Sequence, residues 1–279
     1  MQLPRIVRQL MHRRIVMVSA VVLIVITVLA LGAPWFASAD PNDTAVLDRL
    51  KAPSSAHLLG TDELGRDMYA RIVHGARYSL AIAALTALGS MLAGTVLGLV
   101  AGFFRRLDAP LMRIVDAMMA FPDILLAIAL VAILGPTLLN VVLALVLVYT
   151  PRVARVVRAS TLVVRELLFV EAVRALGVRT SRILWRHILP NLLSPIMVQA
   201  SFIFAYAILA EAGLSFLGVG VPPEIPTWGT MVAGSQQYAD RAFWVVLFPG
   251  LAIIFTALSL QLLGDGVRDL LDPKLKKTL

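Results

Sequence analysis

The chain contains no cysteine among its 279 residues. Disulfide bonds, thiolate metal sites and thiol nucleophiles are therefore excluded, and the compartment has to be inferred from other features. Charged residues are also scarce, at 15% of the chain compared with about 25% in soluble domains. No G-x-x-x-x-G-K-[ST] phosphate loop occurs in the sequence, so we expect that the chain itself does not hydrolyse ATP.

Apolar residues make up 59% of the chain, above the roughly 45–50% of soluble domains. A bilayer crossing needs about 20 apolar residues. Six segments meet this requirement: about Ile15–Phe36, Tyr78–Phe104, Met118–Leu134, Val141–Val157, Ile196–Leu217 and Phe243–Leu263. We therefore predict an all-α, polytopic membrane protein with six transmembrane helices, divided into an N-terminal part over residues 1–77 and a five-helix core over residues 78–279.

The net charge of +8 indicates membrane orientation rather than nucleic-acid binding, because the basic residues lie between apolar runs without a binding motif. With six crossings, nineteen of the 25 lysines and arginines fall on one face, which the positive-inside rule makes cytoplasmic. We expect both termini there, in a bacterial inner membrane. Ala37-Ser38-Ala39 resembles a signal-peptide cleavage site, but the run Ile15–Phe36 exceeds the usual apolar region of about 7–15 residues, so we favour a retained helix.

The long connection after the first crossing carries two histidines and three acids: His57, His74, Asp62, Glu63 and Asp67. These residue types can bind metals, but their spacings match no ligand motif. Hydrogen bonding within a capped turn explains the same residues, so we predict no metal site. We also predict a short helix from Asp62 to Ile72 at the membrane interface.

The second crossing contains the pattern Gly94-x-x-x-Gly98-x-x-x-Gly102, preceded by Gly89. Small residues at this spacing let two helix backbones approach closely, because packing drives helix association in lipid. The pattern predicts a helix buried in a bundle or at a subunit interface.

Polar residues within apolar segments are candidates for a transport path. Glu211 and Gln199 lie in the fifth crossing, and Asp123 lies near the start of the third. A carboxylate at membrane depth is costly and must face protein or water, so Glu211 is either a pathway residue or a structural hydrogen-bond acceptor. After this crossing, a glycine- and proline-rich stretch with Glu224 and Trp228 forms either an external docking surface or a rigid re-entry loop.

The stretch from Phe169 to Pro195 is a polar insertion between apolar runs. Glu171 to Leu176 can form one or two helical turns ended by Gly177, and Pro190 predicts a break or kink in a second helix. Three arginines precede the insertion at helical spacing, Arg152, Arg155 and Arg158, and fall near one face. Three more, Arg179, Arg182 and Arg186, repeat the pattern on an amphipathic second helix. The pattern predicts a short helix projecting from the membrane.

The order of residues in this insertion is more specific than its polarity. Glu171-Ala172-Val173-Arg174-Ala175-Leu176-Gly177 and then Leu189-Pro190 resemble the EAA signature of ABC importer permeases, which reads EAA, three residues, glycine, nine residues, I-x-L-P. Val173 stands where alanine is usual, and His187 stands where isoleucine is expected. Residues 57–67 (HLLGTDELGRD), 210–218 (AEAGLSFLG) and 226–229 (PTWG) resemble the C-type subunit of dipeptide, oligopeptide, nickel and glutathione importers.

This resemblance implies half of a translocation path formed with a homologous second permease. Two cytoplasmic ATPases that bind ATP and Mg would drive transport, and an external solute-binding protein would deliver a peptide or related solute; no cofactor is expected in this chain. It also implies that the Glu171–Gly177 helix is a coupling helix seated on an ATPase. The residues expected at that contact are Glu171, Ala172, Arg174, Gly177, Arg179, Arg182, Leu189 and Pro190.

Two other functions are open to the sequence. A stand-alone secondary transporter would use Glu211 as an ion site, although the repeated broken helices typical of that class are not evident. An intramembrane hydrolase would need a nucleophile such as Ser215, but the glycine spacing around it does not fit G-x-S-x-G. We therefore favour the importer permease.

Overall fold

The computed structural model describes residues 14–271, which form helices joined by short connections without any β-strand in that range. The main helices are α1 (Arg14–Leu31), α2 (Met68–Phe103), α3 (Arg105–Met119), α4 (Asp123–Leu134), α5 (Leu138–Val164), α6 (Leu168–Ala175), α7 (Leu189–Phe216), α8 (Trp228–Ser235) and α9 (Trp244–Leu271). Shorter helical turns lie at Ala33–Phe36, Val46–Asp48, Thr180–Ile183, Leu184–Ile188 and Gln236–Tyr238. The predicted all-α class is confirmed.

Five helices of the described chain are long and apolar enough to cross a membrane: Arg14–Leu31, Met68–Phe103, Leu138–Val164, Thr180–Phe216 and Trp244–Asp269. Helices α3 and α4 meet the same test only as a pair, with a bend of 92° between them. The described part of the chain therefore has five candidate spans, or the predicted six when the bent pair counts as one.

The third crossing differs from the continuous helix predicted from Met118 to Leu134. The chain leaves the helix after Met119 and re-enters it at Asp123. Pro122 lacks a backbone N–H and disfavours helical geometry at Phe121, so the helix ends there and restarts in a new direction.

The second crossing is also longer than predicted. Helix α2 begins at Met68, ten residues before the predicted start at Tyr78, and its N-terminus is capped by Asp67, whose Oδ1 accepts the Ala70 N–H at 2.9 Å. The separate interfacial helix predicted from Asp62 to Ile72 is therefore wrong, because its second half belongs to α2. Residue 77, the expected boundary between two parts of the chain, lies inside this helix.

Glycines on one face of α2 set its packing against α5. A β-carbon added at Gly94 would lie 2.9 Å from the Thr150 carbonyl oxygen. One added at Gly98 would lie 2.6 Å from the Ala154 carbonyl oxygen. Backbone atoms cannot move aside, so only glycine allows this approach. We call the four positions that face α5 the glycine seam: Gly89, Gly94, Gly98 and Gly102. The predicted buried glycine helix is confirmed, and its partner lies within the same chain.

The remaining helices assemble around this pair. Helix α7 packs against α2, α5 and α9, and α1 packs along α9 and α2 at the edge of the bundle. Most of the large side chains of α1 are exposed and apolar, as expected of a helix that faces lipid. Helices α2 and α5 run parallel, because successive glycines of the seam meet successive residues of α5, from Val146 at Gly89 to Thr161 at Gly102. The two helices therefore end near each other, at Phe103 and Val164. We call this the loop end of the bundle and the other the opposite end.

The glycine seam predicts a sharp difference between two glycine-to-alanine substitutions. Gly98→Ala forces a β-carbon against the Ala154 carbonyl and should cost about 1–3 kcal/mol, as overpacking of a tight interface does. Gly250→Ala in α9 is the matched control, because a β-carbon there meets no atom within 4 Å. Thermal unfolding of the detergent-solubilised protein measures both. Equal melting temperatures for the two variants would contradict the account.

Candidate functional site

Helix α6 is a short helix that stands beyond the ends of α2 and α5. It begins at Leu168, three residues earlier than predicted, and ends at Ala175. Gly177 follows with a φ of +73°, and its N–H donates to the Arg174 carbonyl at 2.9 Å. Glycine adopts this left-handed conformation without steric cost, so the predicted helix end at Gly177 is confirmed.

The two faces of α6 differ in exposure. Val170 is fully buried, and Val173 packs against the same apolar core, which places the residue that departs from the EAA signature on the inner face. Glu171, Ala172 and Leu176 lie on the outside, and Leu176 is 80% exposed. Leu168, which is 82% exposed, lies on the same face of the helix as Ala172 and Leu176, and an exposed apolar patch of this kind is typical of an interaction surface.

Two arginines attach α6 to the end of the glycine seam. The Nη1 group of Arg165, just after α5, donates to the Gly102 carbonyl at 2.5 Å. The guanidinium of Arg174 lies 4.8 Å from the centroid of the Phe103 ring, in cation–π range. The position of α6 is therefore set by the last two residues of α2. Arg174, which the sequence predicts at the ATPase contact, is exposed on this helix while its guanidinium stacks on Phe103.

The helix after α6 runs through Pro190 without a break. Residues Thr180–Phe216 form one helix that contains a single π turn at Leu184–Ile188, directly before the proline. The wider turn accommodates the missing N–H of Pro190, so the helix does not break there, and a local π distortion stands where a break or kink was predicted. Leu189 packs against the core, whereas Pro190 is exposed, as are Arg179 and Arg182 near the start of the helix.

Arginines of α5 form ion pairs with acids of α3 and α4. The three pairs are Arg152 with Asp123 at 3.1 Å, Arg155 with Asp116 at 2.6 Å, and Arg158 with Asp108 at 2.7 Å between Nη2 and Oδ2. We call them the ion-pair ladder. The spacing of the arginines correctly predicted a shared face. The pairing was missed because it depends on the bend between α3 and α4, which brings the acids onto that face.

Glu211 is a structural acceptor within the bundle. Its side chain is 2% exposed, and Oε1 accepts hydrogen bonds from Thr227 Oγ1 at 2.8 Å and Ser215 Oγ at 2.9 Å. The backbone of Gly229 packs directly against the carboxylate, since a β-carbon added there would lie 2.9 Å from both oxygens. The Glu211 side chain is therefore enclosed by protein. Of the two roles open to Glu211, these contacts favour the structural one. Gln199, in the same helix, is half-buried.

Trp228 lies in the core rather than on an external docking surface. Trp228 is 1% exposed. Its backbone N–H donates to Ser79 Oγ at 3.0 Å, and its ring Nε1–H donates to the Ile72 carbonyl at 3.1 Å. Trp228 is therefore not exposed for external docking, one of the two roles that the sequence left open for this stretch. Glu224 is exposed, and its carbonyl accepts from Asn42 Nδ2 at 3.0 Å.

The segment from residue 37 to residue 67 packs on the opposite end of the bundle. Asp62 Oδ1 accepts the N–H groups of Leu64 and Arg66, both at 2.9 Å, and His57 Nδ1 lies 3.0 Å from Asp67 Oδ2. These carboxylates are engaged by protein donors, which supports the hydrogen-bonding explanation of the cluster. Within residues 14–271 no group of three or more His, Asp or Glu side chains is arranged to hold a metal ion.

Comparison with known proteins assigns the family. Residues 94–277 match the binding-protein-dependent transport system inner membrane component family, and residues 2–53 match the N-terminal TM domain of oligopeptide transport permease C. The chain belongs to this family of transport permeases.

Curated relatives extend over almost the whole chain. A putative peptide transport system permease protein of Brucella suis is 49% identical and covers 96% of this chain and 91% of its own. The dipeptide transport system permease protein DppC of Alkalihalophilus pseudofirmus is 44% identical, covering 96% and 89%. The glutathione transport system permease protein GsiD of Pectobacterium atrosepticum is 42% identical, covering 96% and 90%.

A solved structure shares the fold of this permease. An inward-facing form of the MetNI methionine ABC transporter has a chain that aligns with a TM-score of 0.60 at 20% identity, covering 74% of this chain and 98% of its own. The resemblance to ABC importer permeases drawn from the sequence is thus confirmed. The chain is a multi-pass membrane permease of an ABC importer. This function is favoured over that of a stand-alone transporter that uses Glu211.

The structural role of Glu211 predicts a loss of stability on truncation. Glu211→Ala leaves two buried hydroxyls, Thr227 and Ser215, without their acceptor and should cost roughly 1–3 kcal/mol. The control is Glu224→Ala, which removes an exposed carboxylate. Thermal unfolding of the purified permease compares them. A Glu211→Ala variant that unfolds at the wild-type temperature would show that the carboxylate does not hold α7 to the turn before α8.

Proposed function

We propose that this permease is the C-type subunit of an ATP-driven importer of peptides or a related small solute. It would form half of the translocation path with a homologous second permease. Two cytoplasmic ATPases, binding ATP and Mg, would drive transport, and an external solute-binding protein would deliver the solute. The relatives are named as peptide, dipeptide and glutathione transport permeases, which supports this substrate class.

Helix α6 is the proposed contact with an ATPase. The observation that carries this proposal is its geometry: an outward face with Glu171, Ala172 and Leu176, and an inner face fixed to the bundle. Arg179 and Arg182 are exposed beside it and extend the same surface. Such a surface offers charged groups and an exposed apolar patch, Leu168 with Leu176, to a partner.

The attachment of α6 gives the contact a mechanical consequence. Arg165 and Arg174 tie the helix to Gly102 and Phe103, the end of the glycine seam. Movement of a closing ATPase against α6 would therefore shift α2 and α5 together. Transmission through a rigid, packed pair of helices is a known way to couple distant sites.

The orientation follows from the same assignment. An ATPase lies in the cytoplasm, so the loop end of the bundle would be cytoplasmic, together with both termini. The excess of arginine and lysine on this side agrees with the positive-inside rule. The segment from residue 37 to residue 67 and Glu224 would then face the outside, where a solute-binding protein could dock.

Co-purification and uptake test the assignment directly. Tagging this permease and isolating it from the native membrane should recover a second permease and ATPase subunits. Vesicles that contain the assembly should take up peptide only when ATP and the binding protein are supplied. Isolation of a single chain that transports solute without ATP would overturn the proposal.

Two glycines with the same backbone geometry give a matched test of α6. Gly177 and Gly218 have φ values of +73° and +77°, and a β-carbon at either meets no atom within 4 Å. Valine at each position should strain the backbone equally, by about 1–2 kcal/mol. We expect only Gly177→Val to lose most of the co-purifying ATPase, at least tenfold, because Gly218 lies at the opposite end.

An asparagine variant separates backbone strain from loss of a contact. Asparagine tolerates the left-handed conformation better than valine, so Gly177→Asn should retain most of the ATPase. Equal ATPase recovery from the two valine variants would refute the assignment of α6.

A further inference from the structure

One pair of the ion-pair ladder lies near the middle of α5. Arg152 is about 21 Å from the first residue of α5 and about 18 Å from the last, at 1.5 Å per residue. The side chains of Arg152 and Asp123 are 36% and 47% exposed on the isolated chain. Arg152 lies within the fourth predicted crossing, Val141–Val157, and charged groups inside a crossing face a bundle interior or water rather than lipid. This face of α4 and α5 therefore belongs to an aqueous path or a covered interior.

Two tyrosines surround the arginine of this pair. The guanidinium carbon of Arg152 lies 5.1 Å from the Tyr206 ring centroid and 5.9 Å from that of Tyr149. The Tyr149 hydroxyl donates to the Tyr206 carbonyl at 3.4 Å, which ties α5 to α7. The charge is thereby held at a point where three helices meet, because Asp123 is the first residue of α4.

A cavity of about 220 Å³ opens beside these groups. Its lining includes Asp123, Tyr149 and Tyr206, and apolar side chains of the same three helices complete the wall. Pockets for drug-sized ligands measure roughly 300–1,000 Å³. This cavity is smaller and suits one end of a short peptide or a single side chain.

The other two pairs of the ladder lack these features. Arg155–Asp116 and Arg158–Asp108 lie closer to the loop end, and in the described part of the chain neither arginine lies within cation–π range of an aromatic ring. Their contacts are also shorter than the 3.1 Å between Arg152 and Asp123. The pair at the cavity is thus the one with the longer contact and the one with a pocket beside it.

The chemistry of the pair matches the ends of a peptide. A short peptide near neutral pH carries a carboxylate with a pKa of about 3.5 and an α-ammonium with a pKa of about 8. Arginine binds carboxylates in a bidentate manner, and an aspartate accepts hydrogen bonds from an ammonium. A peptide entering the cavity could therefore replace the Arg152–Asp123 contact with two of its own.

We propose that Asp123, Arg152, Tyr149 and Tyr206 form a weak binding subsite for the charged ends of a short peptide within the translocation path. Arg152 takes the carboxylate, Asp123 takes the α-ammonium, and the cavity takes an adjoining side chain. The subsite presupposes the peptide importer proposed above. Binding has to be weak, since a substrate in transit must leave the site as readily as it enters.

Direct binding to the assembled importer tests the subsite. The complex, purified with its partner subunits but without the binding protein, is titrated with labelled Ala-Phe, its N-acetyl form and its C-terminal amide. We expect wild type to bind the free dipeptide at least tenfold more tightly than either blocked form. Arg152→Gln should abolish the preference over the amide, and Asp123→Asn the preference over the N-acetyl form.

The neighbouring pair of the ladder supplies the matched controls. Arg155→Gln and Asp116→Asn also leave an unpaired partner, but should keep dipeptide affinity within twofold of wild type. Arg152→Lys keeps the charge but not the bidentate geometry. In an assembled complex, this variant should still lose most of the preference for the free dipeptide over its C-terminal amide.

Three outcomes would overturn the subsite. The first is the same affinity for the free dipeptide in every variant and in wild type. The second is an equal loss of dipeptide affinity when either ladder pair is substituted. The third is the absence of dipeptide binding by wild type. Failure of the importer assignment is seen separately, as absence of co-purifying ATPase subunits or of ATP-dependent uptake.

Discussion

Backbone contact between α2 and α5 is the constraint on which the rest of this permease depends. Hydrophobic expulsion does not drive helices together in lipid, so close packing has to supply the association. The glycine seam provides it by bringing α2 against the backbone carbonyls of α5, at Thr150 for Gly94 and Ala154 for Gly98. Because the helices run parallel and end together, the seam fixes both the depth of the ion-pair ladder and the position of α6.

Polar side chains of the bundle form ion pairs and hydrogen bonds whose positions depend on this packing. Helix α5, held by the seam, presents Arg152, Arg155 and Arg158 to the acids of α3 and α4. Arg165 reaches back to Gly102 and anchors the loop end, while Glu211 fastens the opposite end through Thr227. Unpaired charges at these depths would be costly, so the pairs both stabilise the fold and mark where water or a partner must lie.

Some of this architecture could be predicted from sequence because it depends on local chemistry. Glycine spacing predicted a close helix contact, and the helix end at Gly177 followed from backbone geometry. Other features depend on tertiary context. The burial of Trp228 depends on distant partners, Ser79 and Ile72, and the acids that pair with the arginines of α5 come into register only through the bend at Pro122. Hydropathy placed the start of α2 too late because charged residues begin a helix that extends beyond the apolar run.

Site-specific cross-linking tests the proposed role of α6 most directly, because the chain contains no cysteine of its own. Cysteine introduced as Ala172→Cys on the exposed face of α6, or as Glu224→Cys at the opposite end, can be treated with a short thiol-reactive cross-linker in the intact complex. We expect Ala172→Cys to join this permease to an ATPase subunit and Glu224→Cys not to do so. An active complex in which Ala172→Cys fails to reach the ATPase, or in which Glu224→Cys reaches it, would contradict the account.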